Sequence, residues 1–108
     1  MSGQQHADIL LKLICKDMSL SEDESAGLQF SDQQQILLQL ERLIAYLLDH
    51  DFNRLINACY RMDIPEDDLS IALHTDDPEK VAWEIANLVF ERQMKKVEMR
   101  IKYSSKPE

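Results

Sequence analysis

The sequence predicts an all-α fold: a small compact domain of four to five helices that ends in a long C-terminal helix. Three observations predict it. The 108 residues include two glycines and three prolines, whereas an all-β domain uses more of both in its tight turns. Ile36, Leu37, Leu40, Leu43, Ile44, Leu47 and Leu48 repeat at helical spacing and form one apolar stripe. A second apolar stretch, Val81 to Phe90, passes into a narrow seam of Phe90, Met94, Val97 and Ile101 at spacings of four, three and four. A chain of this length buries roughly two-thirds of its unfolded surface, which supports a single helical domain over residues 1–108.

The elements follow in order. Residues 7–18 carry Ile9, Leu10, Leu11, Leu13, Ile14 and Met18. Either a short helix or a buried strand accommodates them, and periodicity does not arbitrate over so few residues. Residues 19–31 are acidic, serine-rich and contain Gly27. They read as a flexible internal linker, pinned at its end by Leu28 and Phe30, because so little apolar surface does not offset ordering entropy. Ser31 followed by Gln34 matches a capping box that opens a helix to about Asp49. Asp51 caps a helix over 52–62 whose inward side holds Phe52, Leu55, Ile56, Cys59 and Met62.

Asp63-Ile64-Pro65-Glu66 stops that helix and starts a short one over 65–73, which buries Leu69, Ala72 and Leu73. Asp76-Asp77-Pro78-Glu79 repeats the initiation chemistry for the last helix, 78–102. Over its first half Val81, Ala82, Ile85, Leu88 and Val89 make one apolar face and Trp83, Ala86 and Phe90 another, so neighbours are expected on both sides. Over its second half Arg92, Lys95, Lys96, Arg100 and Lys102 surround the seam. Residues 103–108 read as a disordered basic tail.

Charge is unevenly placed. Residues 1–91 hold six Lys/Arg and eighteen Asp/Glu, a balance of −12, and residues 92–108 hold six and two, a balance of +4, which add to the net −8. The acidic body disfavours non-specific binding of nucleic acid or anionic membrane. No apolar run approaches a membrane span, no secretory leader is evident, and Ser2 stands where myristoylation needs glycine. With Cys15 and Cys59 as the two cysteines, a cytoplasmic protein with reduced thiols is expected.

Motifs that carry chemistry are weak. The clusters Glu66-Asp67-Asp68 and Asp76-Asp77-Glu79 fall in first turns, where negative charge complements free backbone N–H groups. Glu22-Asp23-Glu24 falls in the linker. Asp49-His50-Asp51 resembles the opening of a calcium loop, but Arg54 stands at the glycine position and Tyr60 at the bidentate glutamate position. His6, His50 and His74 lie on separate segments without zinc spacing. Cys59 sits on a buried stripe, where cysteine acts as a small hydrophobe. The helix pair 52–62 and 65–73 has helix-turn-helix proportions, but an acidic start to its second helix would repel phosphate. No catalytic residue, metal or cofactor is therefore expected.

What remains is the last helix. Its seam outlasts the short helices, so Phe90, Arg92, Met94, Lys96, Val97, Arg100 and Ile101 are expected to form an interaction surface. The function this predicts is an adaptor or regulatory module acting by protein–protein contact, with a protein partner or as a homodimer. The competing outcome is that Ile9, Leu13 and Ile14 cover the seam within one chain. An alternative is a nucleic-acid accessory role for the basic segment 92–106. Small-ligand binding near Asn57, Tyr60 and Arg61 is a further alternative.

Overall fold

The computed structural model describes residues 2–26 and 32–104. Among these the chain forms six α-helices and no strand. They are α1 (Ser2–Asp17), α2 (Glu22–Ala26), α3 (Gln33–His50), α4 (Phe52–Arg61), α5 (Glu66–Leu73) and α6 (Pro78–Ser104). The fold class is as predicted, with one helix more than the four to five expected.

The additional helix is α2, inside the segment 19–31. Ser21 and Glu24 form a capping box that the composition of the segment conceals. The Glu24 backbone N–H donates to Ser21 Oγ at 3.1 Å, and the Ser21 N–H donates to Glu24 Oε1 at 2.9 Å. Gly27, Leu28, Phe30 and Ser31 lie outside the described residues, so their assigned roles do too. The residue that caps α3 is Asp32, whose side chain accepts from the Gln35 N–H at 2.8 Å, one position later than the Ser31–Gln34 pairing predicts. Aspartate serves an N-cap as well as serine does.

The segment left open between helix and strand is helical: α1 has sixteen residues. It closes with a Schellman motif in which the Ser19 N–H donates to Lys16 O at 3.1 Å and the Leu20 N–H to Cys15 O at 3.0 Å. The end of α4 repeats it, with the Asp63 N–H donating to Tyr60 O and the Ile64 N–H to Cys59 O, both at 3.1 Å. Ser19 (φ 53°) and Asp63 (φ 60°) take the left-handed conformation that such a cap requires. Both caps are made without glycine.

Asp51 joins two helices. Its N–H donates to Leu47 O at 2.8 Å, closing α3, and its side chain accepts from the Arg54 N–H at 3.3 Å, opening α4. Pro65 stands just before α5, and Glu66, Asp67 and Asp68 fill its first turn. Tyr103 and Ser104, assigned to a tail by composition, are the last turn of α6, and residues 105–108 lie outside the described residues.

The core is built around α6, which packs most extensively on α3 and also on α1 and α5. Ile36, Leu40, Ile44 and Leu47 of the α3 stripe are fully buried, together with Leu10 and Ile14 of α1 and Ile85, Val89 and Val97 of α6. Twenty-seven residues make α6 about 40 Å long, and it sets the long axis of a molecule of 47 × 30 × 21 Å. No helix among the described residues is long and apolar enough to cross a membrane.

Candidate interaction surfaces

The predicted surface on α6 divides into an inner and an outer part. Val97 is fully buried, and Phe90, Met94 and Ile101 are half-buried against the core. Helix α1, about 24 Å long, packs on α6 as α3 does, and its Asp17 side chain accepts from Gln93 and Lys96 next to the seam. The expectation of an exposed seam is thus corrected: Val97 is buried and the rest of the seam is half-buried within one chain, with α1 among the helices packed on α6.

Two of the cations are also occupied within the chain. Arg92 Nε donates to Met62 O at 2.9 Å, and its guanidinium lies 3.7 Å from Asp63. Lys96 Nζ donates to Asp17 Oδ2 at 3.2 Å, an oxygen that also accepts from Gln93 Nε2 at 2.9 Å. Gln93 is fully buried at this junction, its Oε1 without a hydrogen-bond partner among the described residues. Arg100 is the residue of the predicted set that faces solvent.

Two arginines of α4 hold the end of α1 and the α2 turn. Arg54 Nη1 and Nη2 donate to the two carboxylate oxygens of Glu24 at 2.9 and 2.7 Å, and Nη2 also donates to Ser19 O at 3.0 Å. Arg61 Nε donates to Asp17 O at 3.0 Å and Nη2 to Ser19 Oγ at 3.3 Å. Cations are favoured at the C-terminal carbonyls of a helix. The Arg54 bonds, and next the Ser21 backbone N–H, lower the Glu24 carboxyl from 4.5 to about 2. Arg61, considered for ligand binding from the sequence, is here a structural residue.

The remaining chemistry-bearing side chains stay apart. Burial pushes the Cys59 thiol up to about 11, which suits a packed side chain rather than a nucleophile. His50 Nδ1 lies 3.0 Å from Tyr46 O and His74 Nδ1 2.7 Å from Ser70 O, each on its own helix. Among the described residues no three His, Cys, Asp or Glu side chains converge as metal ligands would.

An outward apolar surface lies between α4 and α5. Phe52, Ile56 and Tyr60 face Leu69 and Leu73 across an open groove of about 310 Å³, with Glu66 and Ser70 on its rim. The periodicity assigns Phe52 to the core stripe of α4, yet it is 44% exposed and Tyr60 53% exposed. At about 100° per residue, Leu55, Ala58, Cys59 and Met62 centre the buried face, while Phe52, Ile56 and Tyr60 form a second stripe beside it. The eight residues of α5 leave this second stripe open. Tyr60 stands at helical spacing from Phe52 and Ile56, the one sequence signal that could have placed it in this stripe.

Comparison with protein-family models, curated proteins and solved structures gives no match to this chain.

Proposed function

We propose that this chain is a small, non-catalytic helical interaction module whose contact surface is the α4–α5 groove. The observation that carries the reading is the groove itself, in which two aromatic rings and three aliphatic side chains line an open surface channel. Exposed apolar grooves rimmed by polar groups mark contact sites, and tyrosine and phenylalanine supply large contact area at small entropy cost. The rest of the fold supports this use. With the seam of α6 buried or half-buried within one chain, α4 and α5 are presented on a packed scaffold. Both cysteines are free thiols, in keeping with action in a reducing compartment such as the cytoplasm.

The basic segment supports a nucleic-acid role less well, because Arg92 and Lys96 already serve Met62, Asp63 and Asp17.

The test is affinity capture from the native cell with Phe52→Glu and Tyr60→Glu. Leu38→Glu, at an exposed apolar position of α3, is the control, and circular dichroism verifies the helix content of each protein. The reading expects partners recovered with wild type and Leu38→Glu to be lost from both groove variants. Equal recovery with all four proteins contradicts it.

A further inference from the structure

We propose that the occupant of the groove is the exposed C-terminal end of α6 from a second copy of this chain. The inference rests on the groove being the contact surface and adds what fills it. Charge favours this occupant. Between Arg61 and Lys80 the chain carries Asp63, Glu66, Asp67, Asp68, Asp76, Asp77 and Glu79 and no Lys or Arg, and all of these acids are exposed. Helix α5 and its flanking turns are therefore an acidic pole, and Glu66 stands on the groove rim.

The opposite pole is the end of α6. Met99 is 55% and Tyr103 64% exposed, and their i,i+4 spacing sets them side by side on one helical face. Arg100 is exposed beside them, as is Glu98. Lys95, one turn earlier, lines a cleft with Asp63 and Asp68 of its own chain and is not part of this end. An amphipathic helix that lays apolar anchors into an apolar groove is a common recognition mode. The stripe Phe52–Ile56–Tyr60 is about 12 Å long, room for the roughly 6 Å between Met99 and Tyr103.

Connectivity favours a second copy as well. Helix α6 is continuous from Pro78 to Ser104 and packed on α1 and α3, so its own end does not fold back onto its own groove. A second copy supplies that end freely. Each copy has one groove and one basic end, and the proposed dimer is the two-fold pairing in which each end enters the other copy's groove. The net charge of −8 per chain disfavours orientations that bring acidic faces together, and one that sets Arg100 against the acids of α5 avoids this.

Light scattering across a concentration series, at low and moderate salt, tests this with the full chain. The expected result is a dimer that weakens as salt rises. Tyr60→Glu and Tyr103→Glu should each weaken association about tenfold or more while retaining helix content. Glu66→Lys and Arg100→Glu should each weaken it as well, and an equimolar mixture of those two should regain it, since both contacts in the mixed dimer again pair opposite charges. A wild type that is monomeric throughout overturns the second copy as occupant, whereas the groove itself stands or falls by the capture experiment. A dimer undiminished by Tyr60→Glu and Tyr103→Glu, or a mixture that stays monomeric, overturns the proposed contact.

Discussion

Several side chains act on backbone groups far away in sequence, and those roles are the least legible. Arg54 and Arg61 read as ordinary polar positions of an amphipathic helix, yet they satisfy carbonyls of Asp17 and Ser19 more than thirty residues away. Nothing local announces such a partner. Ser19 and Asp63 were equally silent, because a left-handed cap is usually signalled by glycine. Glu24 offers a check at this scale. Its carboxyl is lowered from 4.5 to about 2 in the folded chain, so its contribution is fully present above about pH 4.5 and lost as pH falls toward 2. Glu24→Gln should cost on the order of 1 kcal/mol at neutral pH, the scale of a partly exposed charged pair. In denaturant titrations the gap between variant and wild type should close across that acidic window. A gap that is unchanged down to pH 2 would show that the pair carries no linkage.

At the scale of elements, periodicity succeeds where a helix is long and one-sided. The α3 stripe is fully buried at Ile36, Leu40, Ile44 and Leu47, and the bounds of α4, α5 and α6 fall within two residues of those predicted. Ile44→Ala should cost about 2–5 kcal/mol by chemical denaturation, and a loss below 1 kcal/mol would place the side chain outside the core. Helix α2 is missed because five residues are too few for a period and its Ser21–Glu24 capping box precedes no apolar run. On α4 the miss is angular, since Phe52 and Ile56 lie close enough to the buried face to read as part of it.

The helices packed on α6, α3 and α1 among them, decide the fate of its seam, and Val97 is the position that reports it. If the seam were outward, Val97→Glu would be tolerated by the fold. Because Val97 is fully buried, the substitution should place an unpaired carboxylate in the core and cost several kcal/mol. A melting temperature within a degree or two of wild type, by circular dichroism, would show that the seam is uncovered.

At the scale of the molecule, the charge asymmetry was legible in the sequence, but its use was not. The sum over residues 92–108 counts Arg92 and Lys96, although both serve partners inside the chain. What reaches solvent is smaller and more directed: an acidic pole around α5, a basic end on α6, and an apolar groove beside the first of these. The groove needed tertiary information, because it depends on how much of α4 a helix as short as α5 covers.

The central claim is that this groove is where the protein meets its partner, and site-specific photocross-linking in the native cell tests it most directly. Tyr46 on α3 and Tyr60 in the groove are equally exposed, at 53% each, so a photoreactive phenylalanine analogue at each position samples solvent alike. The account predicts a discrete cross-linked adduct from position 60, whether to a second copy or to another protein, and none above background from position 46. Adducts from position 46 alone, or in equal yield from both, would contradict it.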